Sequence, residues 1–259
     1  MKIAFGVEYN GAGFHGWQIQ HGVRTVQEVV EAALARVADE PIRVHCAGRT
    51  DAGVHAVGQV VHLETMARRA PKSWIFGANS SLPNDVSISF AQEVEDGFHA
   101  RYAAYRRAYR YLVYNAPARP GVAGKRVAWE HRPLDPQRMR AAAAHLLGEH
   151  DFSAFRGAGC QSKSPVREVF SLEVSQRGPV MVLDVEANAF LLHMVRNIVG
   201  VLLEIGRGWR EPEWAGEVLA GRDRCAGGAT APPGGLYLRR IWYPERYGIP
   251  EPREAGLFF

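Results

Sequence analysis

The amino-acid sequence predicts an α+β fold, and two kinds of hydrophobic pattern support this prediction. Residues 2–9 alternate between apolar and polar positions, which is typical of a strand, whereas apolar residues recur at helical spacing over 26–37. Segments of both kinds follow the order β-α-β-β-α-β, and a similar order then returns. This order indicates α+β architecture and hints at two similar halves, although no sequence repeat proves that relation.

The first half of the chain contains four predicted strands and two predicted helices. Thr25 and Glu28 have the spacing of a capping box, so we expect the first helix to begin there. We expect a loop over 48–58, because its three glycines disfavour regular structure. The other elements of this half are predicted as strands at 42–47, 60–64 and 86–94 and a helix at 72–79.

The second half is predicted to contain three helices, a hairpin and two further strands. Asp135 and Pro136 indicate a helix start, because Asp is favoured at the N-cap and Pro at the first helical position. The Arg177-Gly178 pair predicts the turn of the hairpin. The elements are strands at 104–114, 166–175, 180–186 and 236–243 and helices at 136–147, 190–205 and 213–220.

Composition restricts the classes of protein that the chain can belong to. An apolar fraction of 47% over 259 residues is sufficient for a substantial core. No apolar run of about 18 residues occurs and the start lacks a signal-peptide pattern, so we expect a cytoplasmic protein. The three cysteines, Cys46, Cys160 and Cys225, are far apart and form no C-x-x-C pair, which disfavours disulfides and a zinc site.

Positive charge is concentrated in two stretches that contain no Asp or Glu. Residues 97–129 carry a charge of +7 within a chain of net charge +4, and residues 152–167 form the second stretch. Such segregation suggests a basic surface for RNA, while the alternative is a solvated face balanced by acids folded against it. The predicted RNA contacts are Arg101, Arg106, Arg107, Arg110, Lys163 and Arg167.

The loop around Asp51 is the most informative segment for function. A carboxylate on a glycine-flanked loop after a strand can be approached closely by a ligand. Arg49 lies two residues earlier, and its charge would favour the ionised carboxylate and support the site. The alternative is a turn aspartate that only caps its own backbone.

Two further segments combine charge with apolar or aromatic residues. Alternation along the strand at 104–114 places Tyr109 and Tyr111 on one face and Arg110 on the other. The tyrosines can stack on bases or can belong to the core. Arg196 lies within an otherwise apolar helix and therefore needs a partner, which an ordinary structural ion pair could also provide.

Taken together, these segments resemble the transfer-RNA pseudouridine synthases of the TruA type. The resemblance runs from Lys2 to Phe259, and the ordered set of motifs is much more specific than any one of them. The motifs are GRTDAGVHA at 48–56, FHAR at 98–101, RRAYRY at 106–111, LLGEHDF at 146–152, NAFLLHMVRNIVG at 188–200 and GLYL at 235–238.

The resemblance implies a pseudouridine synthase fold, in which a central mixed, mostly antiparallel sheet with flanking helices forms two related lobes around an RNA cleft. We predict an N-terminal lobe at 1–107, with the catalytic loop, and a C-terminal lobe at 108–259, with the RNA-contacting strand and the supporting arginine helix. The Pro- and Gly-rich stretch 115–124 lies near this boundary. The resemblance also implies a homodimer that binds tRNA and needs no metal and no cofactor.

The resemblance assigns roles to three residues. Asp51 corresponds to the catalytic aspartate, Tyr109 to the tyrosine that contacts the target base, and Arg196 to the arginine that pairs with the aspartate. The implied reaction converts uridine to pseudouridine at positions 38, 39 and 40 of the anticodon stem-loop. Two alternatives are a non-catalytic RNA-binding protein, which would leave Asp51 unexplained, and a hydrolase with a nucleophilic aspartate, which usually has a second acid or a metal.

Overall fold

A computed structural model describes residues 1–252, and it confirms the α+β class. Ten strands and five α-helices lie within these residues. In chain order they are β1 (Lys2–Tyr9), α1 (Val26–Ala38), β2 (His45–Cys46), β3 (His55–Glu64), α2 (Pro71–Asn79), β4 (Val86–Val94), β5 (Arg106–Asn115), β6 (Ala128–Glu130), α3 (Pro136–Ala144), β7 (Gly148–Asp151), β8 (Val166–Arg177), β9 (Val180–Ala187), α4 (Met194–Gly206), α5 (Trp214–Gly221) and β10 (Leu236–Trp242).

The chain forms two compact units. Among the described residues, unit 1 contains 1–107 and 237–252, and unit 2 contains Ala108–Leu236. The last strand, which we expected in the C-terminal lobe, therefore lies in unit 1. The physical reason is that β10 pairs in parallel with β3, with Tyr237 opposite His55. The predicted lobe ended at residue 259, and residues 253–259 lie outside the described part of the chain.

Unit 1 is built on a mixed, mostly antiparallel sheet. Its strand order is β4-β1-β3-β10, and β2 also pairs with β3. β1 runs antiparallel to both β3 and β4, whereas β10 runs parallel to β3. The helix α2 packs against α1 and β4. Phe5 and Trp74 meet edge to face in the core, with their ring centroids 5.6 Å apart.

The start of α1 differs from the predicted capping box. Thr25 is the N-cap residue, but its hydroxyl makes no capping hydrogen bond. The amides of Val26 and Gln27 instead donate to the carbonyls of Gly16 and Trp17, at 3.2 and 2.9 Å. A preceding segment of the chain therefore satisfies backbone groups that a local cap would otherwise have to satisfy.

In unit 2 the strand order is β5-β9-β8-β7, and β6 pairs in parallel with β5. The predicted hairpin is confirmed, since β8 and β9 pair antiparallel around Gly178. The predicted cap of α3 is also confirmed, because the Asp135 carboxylate accepts from the amides of Gln137 and Arg138. α3 packs against α4, α5 and β8.

β2 begins and α3 ends three residues from the predicted positions, and two other boundaries were wrong by four or five residues. β3 begins at His55 rather than at residue 60, because its first residues pair with β10. α4 begins at Met194 rather than at residue 190, because His193 adopts a left-handed conformation with φ of 61°. α4 contains 13 residues, and no helix among residues 1–252 has both the length and the apolar character needed to cross a bilayer.

His62 on β3 is a buried histidine in unit 1, with 3% of its surface exposed. Its Nδ1 accepts a hydrogen bond from the Ala100 amide at 3.2 Å, and the His99 ring centroid lies 4.6 Å from its own. Burial lowers the pKa of His62 to about 4, and the charges that His99, His45 and Lys2 can carry act in the same direction.

Stability should therefore fall as the pH is lowered from about 6.5 to about 4. The pKa of His62 is lower in the folded chain than its ordinary value of 6.5, so the unfolded chain binds more protons in this range. The stabilisation is fully present above pH 6.5 and is lost as the pH falls towards 4. Urea unfolding midpoints of the wild type and His62→Gln, measured across this range, test the effect.

His62→Gln keeps a hydrogen-bond acceptor for Ala100 but does not titrate. Carboxylates titrate in both proteins, so the difference between the two pH profiles isolates the contribution of His62. The wild type should lose more stability than the variant on acidification. Parallel pH profiles would show that protonation of His62 does not limit stability.

Candidate active site

The segment Gly48–Val54, which we call the Asp51 loop, connects β2 to β3 in unit 1. Asp51 is half-buried, Thr50 is buried and Arg49 is exposed. The Val54 amide donates to the Asp51 carbonyl at 3.1 Å, and Gly53 in this turn has a φ of 78°. Since residues other than glycine rarely adopt a positive φ, Gly53 allows the chain to turn directly after Asp51.

Two side chains from neighbouring strands hold the Asp51 loop in place. Gln59, which is fully buried on β3, donates through Nε2 to the Gly48 carbonyl at 2.6 Å. The Tyr9 hydroxyl on β1 forms a hydrogen bond of 2.7 Å with Thr50 Oγ1. These bonds fix the residues on the N-terminal side of Asp51 against the sheet.

A second segment, Asn10–Trp17, lies directly against the Asp51 loop, and we call it the brace. The Trp17 amide donates to the Thr50 carbonyl at 3.0 Å, and the Gly53 amide donates to the Phe14 carbonyl at 3.2 Å. The hydrogen bonds of the brace therefore lie on both sides of Asp51. Main-chain contacts of this kind fix the backbone position of Asp51.

Two glycines make this close approach possible. A Cβ atom at Gly11 would lie 1.9 Å from the Val54 carbonyl oxygen, and one at Gly16 would lie 2.7 Å from the Thr50 carbonyl oxygen. Gly16 also has a φ of 88°. The brace can contact the Asp51 loop backbone to backbone only because these positions carry no side chain.

The brace is itself anchored. The Asn10 side chain accepts from the Ala12 amide at 3.1 Å. Arg24 forms two hydrogen bonds of 2.8 Å with the Asp85 carboxylate, and its guanidinium lies 3.9 Å from the centroid of the Phe14 ring. This ion pair and the ring contact hold the middle of the brace.

His55 connects the brace, the Asp51 loop and β10. Its Nδ1 accepts from the Gly11 amide at 3.0 Å, so the proton of a neutral His55 ring is on Nε2. The ring stacks on Tyr237 with a centroid separation of 4.6 Å and is 1% exposed. Sequence reasoning missed this role, and the only local signal was the position of His55 four residues after Asp51.

The electrostatic surroundings of the loop are positive. Burial raises the pKa of the Cys46 thiol to about 11, although the charges of Arg49 and Arg101 oppose this effect. Cys46 is therefore a protonated thiol at neutral pH. In the described part of the chain, neither Arg49 nor Arg101 has a carboxylate within 4.0 Å. Both arginines contribute uncompensated positive charge near the strand that leads into the Asp51 loop.

Unit 2 contains the predicted tyrosine and the predicted arginine. Tyr109 on β5 is 9% exposed and meets Phe190 edge to face, with ring centroids 5.0 Å apart. Tyr111 donates to the Pro232 carbonyl at 2.7 Å. Burial raises the pKa of Tyr111, while the charge of Arg196 acts in the opposite direction. The structure therefore brings Arg196 close to the tyrosine strand.

Arg196 lies in the first turn of α4 and is half-buried. Its Nε donates to the Ala231 carbonyl at 2.8 Å, and the Ala231 amide donates back to the Arg196 carbonyl at 3.1 Å. This reciprocal pair fixes the direction of the side chain. Asp51 belongs to unit 1 and Arg196 to unit 2, and their pairing stays a prediction.

A buried polar network positions the segment that holds Arg196. Asn197, 1% exposed, donates to the Phe155 carbonyl at 2.8 Å and accepts from Arg224 and Thr230 at 3.0 and 2.7 Å. A Cβ atom at Gly200 would lie 1.9 Å from the carbonyl oxygen of residue 229, so this segment packs directly on α4. Sequence reasoning missed this network, although a buried asparagine in an apolar helix was a usable signal.

The predicted RNA-binding residues of unit 1 differ in their surroundings. Arg101 is exposed, and Arg106 lies with its guanidinium 4.9 Å from the centroid of the Trp242 ring. Arg107 donates to the carbonyls of Arg101 and Ala47, at 2.9 and 3.4 Å. Arg107 therefore connects two backbone segments.

In unit 2, Lys163 is exposed, whereas Arg110 and Arg167 are engaged within the unit. Arg110 makes two hydrogen bonds of 2.8 Å to the Asp184 carboxylate on β9. Arg167 donates to the Ser164 carbonyl at 3.0 Å and to Ser162 Oγ at 2.6 Å. Contacts of these residues with RNA stay predictions, and the ion pair compensates the charge of Arg110.

Within the described ranges, no group of three His, Cys, Asp or Glu side chains could hold a metal ion. The arrangement around Asp51 combines a half-buried carboxylate, a backbone fixed by hydrogen bonds and nearby positive charge. Such a site can supply a nucleophile or a general base from a single residue.

A family model described as tRNA pseudouridine synthase matches residues 6–103 and 142–244, which include Asp51 and Arg196 but not Tyr109. The protein is therefore an enzyme of the isomerase class. More specifically, the chain belongs to the tRNA pseudouridine synthase family.

The curated relatives named tRNA pseudouridine synthase A include the following three. The relative from Coxiella burnetii (strain Dugway 5J108-111) is 54% identical over 258 residues, covering 100% of this chain and 98% of its own. The relative from Methylococcus capsulatus is 55% identical over 249 residues, covering 96% and 92%. The relative from Alcanivorax borkumensis is 55% identical over 251 residues, covering 96% and 94%.

Gly11→Ala should displace the Asp51 loop. Its new methyl group would have to move the Val54 carbonyl, and overpacking of this kind costs about 1–3 kcal/mol. We expect a lower urea midpoint and a loss of activity. Gly13→Ala is the matched control in the same turn, since its Cβ would approach no backbone atom but only the side-chain ends of Arg24 and Asp85, at 3.2 and 3.8 Å. Equal activity and stability of the two variants would contradict the role of the brace.

Proposed function

We propose that the protein converts uridine to pseudouridine at positions 38, 39 and 40 of the tRNA anticodon stem-loop, with Asp51 as the catalytic carboxylate. The observation that carries this proposal is the half-buried Asp51 on a backbone-fixed loop within the range matched by the family model. The names of the relatives support tRNA as the substrate.

The reaction breaks the bond between N1 of uracil and C1′ of ribose, turns the base, and joins C5 to C1′. C5 loses its proton and N1 gains one, so atoms balance without a redox partner. The target base must first leave the stack, which costs a few kcal/mol. An ionised Asp51 can act as a nucleophile or can remove a ribose proton.

The remaining site residues support this carboxylate in the proposal. Tyr109, held edge-on by Phe190, contacts the target base and compensates part of the unstacking cost. Arg196 provides a positive charge that pairs with the Asp51 carboxylate and orients it. Arg49 adds positive charge from the same loop as Asp51.

We also propose that the enzyme acts as a cytoplasmic homodimer without a metal or cofactor. The basic residues that are exposed or half-buried, Arg101, Arg106 and Lys163 among them, bind phosphates of the tRNA. Each phosphate contact releases counterions, so affinity for tRNA should decrease as salt concentration rises.

Asp51→Asn should abolish pseudouridine formation, and kcat should fall by about 100-fold or more. Asn keeps the size of the side chain but cannot act as a nucleophile or base. The assay is tritium release from tRNA labelled at C5 of uridine, combined with a filter-binding measurement of tRNA affinity. Affinity should change by no more than about threefold, because phosphate contacts supply much of it.

Asp39→Asn is the matched control, because Asp39 is an exposed carboxylate in the same unit and Asn tolerates its left-handed conformation. This control should keep full activity. Turnover by Asp51→Asn, prepared from a host that lacks its own enzyme, would refute the assignment. Tight tRNA binding by the wild type without tritium release would instead show that the labelled uridines are not modified.

Arg196 variants test the proposed counter-charge. Arg196→Lys keeps the charge but loses the planar fork, so we expect about a 10- to 150-fold loss of kcat, the equivalent of one hydrogen bond to a charged group. Arg196→Met should lose more activity.

Arg210→Met provides the control, since Arg210 is exposed in the same unit and its guanidinium stacks on Trp214. Its kcat should match that of the wild type. A wild-type kcat in Arg196→Met would show that Arg196 does not support Asp51 in the reaction.

A further inference from the structure

Tyr102 in unit 1 is an unusually exposed aromatic residue, with 76% of its surface accessible. Its ring lies on the His99 ring, with centroids 4.3 Å apart and an angle of 36° between the planes. The Arg101 guanidinium lies 5.7 Å from the centroid of the Tyr102 ring. One face of the Tyr102 ring is covered by His99, and a cation lies beside the ring. Its exposed face can therefore stack on a planar ligand that carries negative charge.

The turn that carries Tyr102 is rigidly built. His99 Nδ1 accepts from the Arg101 amide at 3.1 Å, and the His99 carbonyl accepts from the Ala103 amide at 2.9 Å. The Arg101 carbonyl accepts from Arg107 at 2.9 Å. Since the turn is already ordered, little conformational entropy is lost when a ligand stacks on the ring.

The same contacts connect Tyr102 with the Asp51 loop. Arg107 also donates to the carbonyl of Ala47, the residue directly before Gly48. His45 lies on β2, two residues before Ala47, and its ring centroid is 5.6 Å from that of His99. Tyr102 therefore lies on the part of unit 1 that carries the strand leading into the Asp51 loop.

We propose that Tyr102 stacks on an unpaired base of the tRNA substrate other than the target uridine, while Arg101 binds a neighbouring phosphate. This inference rests on the proposed function and deepens it by assigning a second nucleotide subsite. A base can stack on a protein ring only where it is unpaired, so the occupant is a single-stranded nucleotide rather than a paired stem.

Charge distinguishes RNA from a second protein chain as the occupant. Among residues 1–252, no carboxylate lies within 4.0 Å of the Arg101 guanidinium. Phosphates of RNA neutralise this charge, arginine beside an aromatic ring is typical of single-stranded nucleic-acid sites, and the family that the chain belongs to acts on tRNA.

The test compares Tyr102→Ala, Tyr102→Trp and Arg101→Ala in the full-length protein. Loss of a base–aromatic stack weakens binding by about 5- to 150-fold, so we expect a higher Kd for unmodified tRNA in Tyr102→Ala. Tyr102→Trp should restore binding to within about twofold, because it retains a stacking surface. Phe76→Ala is the matched control, an aromatic of 71% exposure on α2, and should bind as the wild type does.

Salt dependence separates the two roles. Arg101→Ala should reduce the slope of log Kd against log salt by about one, whereas Tyr102→Ala should weaken binding without changing the slope. A fully paired RNA duplex has no unpaired base to stack on Tyr102. It should therefore bind the wild type and Tyr102→Ala equally. Urea midpoints should be unchanged in both variants, since both side chains are exposed.

Equal tRNA affinity of Tyr102→Ala and Phe76→Ala would overturn the proposal. It would also be overturned if Tyr102→Ala weakened self-association in sedimentation equilibrium and left the affinity of the assembled protein for tRNA unchanged. The proposed function fails in a different way. If the wild type released no tritium while Tyr102→Ala still weakened tRNA binding, the stacking subsite would stand and the catalytic assignment would not.

Discussion

The direct backbone contact between the brace and the Asp51 loop is the constraint on which the candidate site depends. Gly11 and Gly16 allow two chain segments to approach more closely than any side chain would permit. Hydrogen bonds from main-chain amides then fix the loop on both sides of Asp51. A carboxylate whose backbone is fixed in this way is oriented before a substrate binds, which reduces the entropy lost on binding and reaction.

In unit 2, close packing at a glycine likewise positions Arg196. The absence of a side chain at Gly200 lets the segment around Ala231 pack on α4, and reciprocal hydrogen bonds then orient the arginine. The buried network of Asn197 and Arg224 anchors that segment from the other side. In both units, main-chain hydrogen bonds position the segment that carries the residue proposed for the chemistry.

Positive charge in the sequence overstates the charge available to RNA. Arg107 is used to connect two backbone segments, and Arg110 is compensated by Asp184. Arg49 and Arg101 remain on the surface of unit 1 without a carboxylate neighbour among the described residues. Acid-free stretches thus identify where basic residues occur, but hydrogen-bond partners decide which of them keep an uncompensated charge.

The sequence by itself determined the α+β class, most element positions, the hairpin, the cap at Asp135 and, through its ordered motifs, the family. These features depend on local periodicity and spacing, which survive without knowledge of the fold. Only the tertiary structure decided that β3 begins at His55, that β10 belongs to unit 1, and that Thr25 makes no cap bond. In each case, backbone groups are satisfied by a segment outside the local pattern, and local spacing cannot identify such a partner.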